Sequence, residues 1–279
     1  MTATNPADIP QEPVLKPSHQ SGKRRSFATF RTVSALVLRE IGAIYGRSPM
    51  GYAWALMSPL FMVIVLAIAF GLFGRVPPLG DSFILYYASG FLMFSIFQQT
   101  FNPVRTALIF NKPLLQFPVV TWIDAVFARF ILNFFTSTLA YFILIYALPI
   151  YTGESSRFDS SIMLETIALM GGLALGLGVF AHYLFLEIKP LGTLWDIVSR
   201  VLFIASGVLF MYEDMPSVVQ EILWWNPLIH VVSLGRSAVY SHYDATFVSI
   251  PYVFTVILVS AALGGLLLRQ HHRRILNKR

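Results

Sequence analysis

The chain contains no cysteine, which excludes disulfides and thiolate metal sites and decides nothing about compartment. Charge is scarce too. Asp, Glu, Lys and Arg supply 12% of its 279 residues, where a soluble domain carries roughly a quarter. Between Ser48 and Gly74 there is no charged residue at all. No G-x-x-x-x-G-K-[ST] phosphate loop occurs, because Gly22-Lys23 lacks the upstream glycines, and there is no H-E-x-x-H. The sequence therefore carries neither the common nucleotide-hydrolysing nor the common zinc-hydrolase signature. Residues 1–26 hold no apolar run of signal-peptide length.

Apolar surface is abundant. Hydrophobic residues make up 56% and the mean hydropathy is +0.66, which places the chain in the membrane class before any motif is read. The net charge is +6, but the basic residues sit in loops beside apolar runs. Anionic lipid and membrane topology explain that placement better than nucleic acid does.

In chain order, residues 1–27 read as a disordered polar tail ending in the basic cluster Lys23-Arg24-Arg25. Residues 28–47 read as an amphipathic interfacial helix. Phe30, Val33, Val37, Ile41 and Ile44 recur at helical spacing, with Arg31, Arg39 and Arg47 off that face. Residues 48–279 read as a transmembrane domain of six helices, at about Ala53–Phe73, Ser82–Asn102, Val126–Leu148, Thr166–Leu186, Leu194–Tyr212 and Ile250–Leu268. The fifth is interrupted at its start by Asp196 and Arg200, which stand four apart and could pair. With the amino terminus inside, Arg75, Arg157 and Arg236 fall outside and Arg129 lies within the third span. Every other Lys and Arg is then cytoplasmic, a positive-inside bias that puts both termini in the cytoplasm. The fold class is all-α, membrane-embedded.

Two connections stand out. The inner loop 103–124, PVRTALIFNKPLLQFPVVTWID, joins basic residues to a helix-length piece, Val104–Phe110, and then to prolines bracketing Leu114, Leu115 and Phe117. Taken alone it is a connector on the headgroups or a partner-docking segment. The outer segment 213–249 is long but rich in Leu, Val, Ile and Trp, with Pro216 suited to a helix start and Asn226-Pro227 breaking the chain after Trp224-Trp225. Two short apolar helices dipping back toward the membrane fit it better than a solvated loop.

The stretch Arg39–Leu60, REIGAIYGRSPMGYAWALMSPL, marks the passage from the charged helix into the uncharged span, with Tyr52 and Trp54 at interfacial positions. Its order of Arg-Glu, Tyr-Gly-Arg-Ser, Gly-Tyr-x-Trp-Ala-Leu and Pro-Leu resembles the permease subunit of bacterial type-2 ABC exporters of capsular polysaccharide and O-antigen. Ser58 stands where many capsule-export relatives have Glu. The resemblance covers nearly the whole chain after residue 27.

That resemblance implies a chain with no catalytic residue, metal or cofactor of its own, with ATP and Mg bound by a separate ATPase subunit. It implies a second copy of the chain and a lipid-linked polysaccharide substrate, with a periplasmic adaptor and an outer-membrane channel in capsule-type systems. Segment 103–124 then becomes a coupling helix resting on the ATPase. Leu114, Leu115 and Phe117 would be its anchors, with Arg105, Asn111 and Lys112 at the rim. Arg39, Arg47, Tyr52 and Trp54 become the interfacial entry. Trp224, Trp225, Asn226, Pro227, His230 and Arg236 become an exit gate.

For the channel, Tyr87, Phe91, Phe94 and Phe101 share one face of the second span and could present aromatic platforms to sugar faces. Such stripes also pack on neighbours or face lipid. Arg129 and Tyr183 are further channel candidates. Competing readings are an exporter of teichoic acid, lipid or drug, a membrane-embedded glycosyl- or acyltransferase, and an ion-coupled carrier. The enzyme would need paired acids, and Asp124, Asp196, Glu213 and Asp214, which lie near span ends, sit in no recognisable motif. The carrier predicts internal repeats and several mid-membrane ionisable groups; no repeat is evident, and Arg129 stands alone.

Overall fold

A computed structural model describes residues 28–45, 51, 53–72, 77–116, 120–153, 158–188 and 190–277. The tail 1–27, and with it Arg47, Tyr52, Arg75, Phe117 and Arg157, lies outside the described residues. All regular structure among the described residues is helical. In order come α1 (Ala28–Tyr45), α2 (Ala53–Gly71), α3 (Phe83–Arg105), the short α4 (Ala107–Phe110) and a 3-10 turn at Leu114–Gln116. Then follow α5 (Trp122–Thr152), α6 (Ser160–Glu187), α7 (Pro190–Ala205), α8 (Ser217–Leu223), α9 (Pro227–Ser237) and α10 (Ile250–Asn277).

Among the described residues four helices, α2, α5, α6 and the first part of α10, are long and apolar enough to cross a membrane. Helix α3 covers the predicted second span but carries Gln98, Gln99 and Asn102. Fifteen of its twenty-three residues are buried, so it is the centre on which α2, α5, α6 and α9 pack. Its amides are satisfied along the helix, Gln99 Nε2 donating to Ser95 Oγ at 2.6 Å and Asn102 Nδ2 to Gln98 Oε1 at 3.0 Å. Such i, i+4 bonds let polar groups enter an apolar core.

Helix α5 opens on a capping box. Thr121 Oγ1 accepts from the Asp124 N–H at 3.2 Å and Asp124 Oδ2 accepts from the Thr121 N–H at 2.9 Å. Helices α6 and α10 approach closely through Gly176 and Gly264. A Cβ on Gly264 would lie 2.5 Å from the Phe180 backbone nitrogen, and one on Gly176 would lie 2.9 Å from the Ile257 carbonyl. This is small-residue packing.

Three expectations are corrected. Helix α7 stops at Ala205 and does not run to Tyr212, because Gly207 takes a left-handed φ of +72° and side chains elsewhere accept the task of satisfying the freed carbonyls. Asp196 pairs with Arg105 at 3.6 Å, not with Arg200, because the end of α3 lies against the first turns of α7. The inward side of α1 is turned toward Leu36 and Glu40, which are 7% and 3% exposed, while Phe30 and Ile41 stay exposed. A carboxylate faces inward there because it meets a buried cation.

Candidate functional site

The described residues bring the sequence candidates together at two opposite ends of the bundle. At the end holding α4, the guanidinium of Arg129 sits on α5, 7% exposed. Its Nε donates to Glu40 Oε1 of α1 at 2.8 Å and its Nη1 to Thr106 Oγ1 at 3.1 Å. Its plane lies 4.0 Å over the Phe110 ring of α4. Thr106 is the break between α3 and α4, and its hydroxyl donates to the Asn102 carbonyl at 3.0 Å. One residue before Glu40, Arg39 Nη1 reaches Asn111 Oδ1 at 3.4 Å, and Asn111 Nδ2 closes back on the Ala107 carbonyl at 3.1 Å. Neighbouring residues of α1 thus reach both ends of segment 106–111, Glu40 through Arg129 and Arg39 directly.

The same end is tied to α6 and α7. Arg105 donates to Asn102 Oδ1 at 2.9 Å, meets Asp196 and lies 5.5 Å from the Phe185 ring centroid. His182 Nδ1 sits 2.5 Å from the Arg105 carbonyl, so that nitrogen donates. Leu115 packs half-buried on the cluster of Val104, Ala107, Leu108, Val126, Val179 and Leu268. Leu114 is half-buried as well. Among the described residues of segment 103–116, the large apolar side chains left facing outward are Ile109 and Phe110, at 55% and 40% exposure.

At the other end, α9 seals the broken end of α7. Asn226 caps α9, its Oδ1 accepting from the Leu228 N–H at 3.1 Å, while its Nδ2 donates to the Ala205 carbonyl at 3.1 Å and to Ser206 Oγ at 3.2 Å. Arg236, 1% exposed, donates to the carbonyls of Val208 at 2.9 Å and Phe210 at 3.2 Å. It lies 4.4 Å from the Tyr86 ring centroid. Gly90 leaves the room, since a Cβ there would stand 2.7 Å from Arg236 Nη2. His230 Nε2 lies 2.7 Å from the Trp224 carbonyl and its Nδ1 accepts from the Ser249 N–H at 3.3 Å. A neutral ring with its proton on Nε2 satisfies both bonds. Trp224 stacks on Tyr252 at 5.1 Å, Trp225 is 69% exposed, and the Tyr252 hydroxyl donates to the Trp225 carbonyl at 2.6 Å. Pro227 opens α9 at its first position.

With this geometry in place, residues 31–240 match the ABC-2 type transporter family. The chain belongs to this family. Among its relatives, the capsule polysaccharide export inner-membrane protein CtrC of Neisseria meningitidis serogroup A is 26% identical, over 84% of this chain and 88% of that protein. The polysialic acid transport protein KpsM of Escherichia coli is 30% identical, over 88% and 95%. The capsule polysaccharide export inner-membrane protein BexB of Haemophilus influenzae is 25% identical, over 88% and 92%.

In this ABC-2 chain the α3 aromatics are interior. Tyr87, Phe94 and Phe101 are 3%, 4% and 1% exposed. Phe101 meets Trp195 at 4.4 Å, Phe94 meets Phe203 at 5.4 Å, and Tyr87 meets Phe70 at 4.9 Å. Phe91 is half-buried, edge-on to Phe203 at 6.1 Å. Tyr183 is half-buried beside His271 at 5.1 Å. Trp54, at 65% exposure, stands free on the first turn of α2. Reading the sequence did not single out Glu40, Thr106 or His182. The Arg-Glu pair at 39–40 was the available signal, but its partner lies eighty-nine residues on. Three of the four acids weighed for an enzyme have structural partners. Asp124 is in the capping box, Asp196 is with Arg105, and Glu213 Oε1 accepts from the Tyr243 hydroxyl at 3.0 Å.

Proposed function

We propose that this chain is the transmembrane permease subunit of an ATP-driven exporter that moves a lipid-linked capsular polysaccharide across the bacterial inner membrane. The observation that carries it is the extent of the match, which takes in 88%, 95% and 92% of the lengths of three proteins named for capsule or polysialic acid export. O-antigen is the neighbouring cargo; teichoic acid, lipid or drug are cargoes elsewhere in the family.

The chain has no phosphate loop, so ATP and Mg belong to a partner ATPase and the permease converts its motion. Segment 103–124 is the docking surface. The exposed Ile109 and Phe110 supply apolar anchors, Arg39 and Lys112 lie at the rim, and Leu114 and Leu115 brace the segment from behind. Six spans follow from α2, α3, α5, α6, α7 with its unwound continuation, and α10. Helices α8 and α9 form the re-entrant pair on the outer side. That orientation rests on the positive-inside distribution of Lys and Arg. Two copies enclose the path, and the seam of α3 and α7 around Phe91 is the aromatic surface offered to the glycan. An adaptor and an outer-membrane channel complete the route.

The test is affinity purification of the chain from mild detergent, together with measurement of capsule at the surface of a strain lacking it. A phosphate-loop ATPase recovered in equal amount, with loss of surface polymer, is the expected result. Recovery of the chain alone, with capsule intact, would refute the reading.

A further inference from the structure

We infer that the buried pair Glu40–Arg129 is a positioning device that fastens segment 106–111 to α1 and α5, so that a push on the segment moves the interfacial helix with it. The inference rests on the exporter reading and adds to it the residues that carry the motion beyond the docking surface.

The argument begins with connectivity. Helix α1 precedes two spans before the chain reaches residue 106, so covalent linkage cannot pass a local displacement of 106–111 back to α1. Only contacts can, and the strongest of them converge on one guanidinium. Arg129 is planar and carries five donors. It meets the Glu40 carboxylate at 2.8 Å, the Thr106 hydroxyl at 3.1 Å and the Phe110 ring at 4.0 Å. Those three groups belong to α1, to the α3–α4 break and to α4, while Arg129 itself stands on α5.

Burial makes the link stiff. Glu40 is 3% and Arg129 7% exposed, so water cannot substitute for either partner as the segment shifts. Charge-assisted bonds of this length are short and directional, and in a low dielectric they resist stretching more than exposed pairs do. Arg39 to Asn111 at 3.4 Å adds a second tether on the same turn of α1. The neighbouring pair Arg105–Asp196 differs in kind. Asp196 is 67% exposed and the separation is 3.6 Å, a geometry that contributes little rigidity.

A purely structural role would be served equally by apolar side chains. Replacing both members of a buried ion pair with well-packed apolar residues is often neutral for folding. The double substitution Glu40→Leu with Arg129→Met therefore separates folding from transmission. The full chain is purified with the ATPase that accompanies it; ATP hydrolysis and surface polymer in the same strain are then measured. The double variant should assemble with the ATPase at wild-type yield and hydrolyse ATP within about twofold of it. Polymer exported per ATP hydrolysed should fall on the order of tenfold.

Arg129→Lys keeps the charge but loses the fork that spans Glu40 and Thr106 and the plane that covers Phe110. It should show the same defect in smaller degree. A direct readout uses the absence of cysteine from the chain: spin labels at Leu38→Cys on α1 and Pro113→Cys beside α4. In the otherwise unaltered complex their separation should stay constant between nucleotide-free and ATP-bound states. In the double apolar variant it should shift or broaden on ATP binding.

Wild-type export per ATP in the double variant would overturn the inference, as would a label separation that changes with ATP in the unaltered pair. If the double variant fails to assemble, the label measurement on the native pair still decides. Failure to recover any ATPase with the unaltered chain is the different result that brings down the exporter reading itself.

Discussion

Replacing Arg236 with Ala tests how the outer end of the bundle is held together. The guanidinium is buried, and it supplies the donors for the Val208 and Phe210 carbonyls, which the end of α7 leaves without helical partners. A buried carbonyl left without a donor costs about 1–3 kcal/mol. Loss of the contact with Tyr86 adds about 1–2 kcal/mol, and relief of the guanidinium's own desolvation opposes both. The expected net loss is about 3 kcal/mol, a fall of about 6–12 °C in midpoint for a chain of this size. Arg236→Lys keeps the charge but cannot stack or span two carbonyls, so it should lose about 1–2 kcal/mol.

Gly90→Ala approaches the same contact from α3, since the new methyl would stand 2.7 Å from Nη2 and 3.3 Å from the Val208 Cα. It should cost about 1–3 kcal/mol. In an Arg236→Ala background that cost should shrink, because the obstructing group is gone, so the double mutant should be clearly non-additive. Thermal unfolding of the purified chain in detergent, followed by tryptophan fluorescence, measures all four variants against the parent. A midpoint for Arg236→Ala within about 1 °C of the parent, or strict additivity with Gly90→Ala, would refute the account of Arg236 as the donor that holds the stretch after α7.

Three further outcomes are expected. Ile109→Asp should prevent co-purification of the ATPase while leaving the melting midpoint within about 2 °C, because Ile109 is 55% exposed; Leu115→Asp should lower the midpoint as well, since Leu115 packs on its own chain. Gly264→Ala should cost about 3 kcal/mol, seen as loss of monodisperse protein in size-exclusion chromatography, because the methyl would meet the Phe180 backbone at 2.5 Å; Gly265→Ala, with nothing within 4 Å, should be tolerated. Asp159 caps α6, and the Ser161 hydroxyl and the Ile162 and Ser161 N–H groups hold its carboxyl below the ordinary range. A lowered carboxyl pKa contributes stability above the unfolded-state value and loses it as pH falls through the folded value. Asp159→Ala should thus lower the midpoint at neutral pH and make little difference under strong acid, as melts at the two pH values would show.

Class, helical content and the positions of most helices could be read from residue order alone. Hydropathy and the 3.6-residue period are local quantities, so the apolar runs that became α2, α3, α5, α6 and α10 announce themselves without reference to one another. Pro216 and Asn226-Pro227 likewise announced the starts of α8 and α9, because their backbone restrictions act on the neighbouring residue. The Arg-Glu and Tyr-Gly-Arg-Ser motifs pointed to the family for the same reason: a motif is carried by order, not by contact.

Which groups meet was decided by packing. Arg129 reads as a lone charge within an apolar run; only the tertiary structure sets it against Glu40, eighty-nine residues away, and so turns α1 to bury a carboxylate. Arg236 reads as an outer loop cation and is 1% exposed, because α7 ends early and the non-helical stretch after it leaves the Val208 and Phe210 carbonyls in need of donors. The aromatic stripe of α3 was visible as a face. That it packs on α2 and α7 follows from which helices surround α3. Pairing across such distances follows from shape and from the demand that buried polar groups be satisfied, and neither is written in the spacing of residues along the chain.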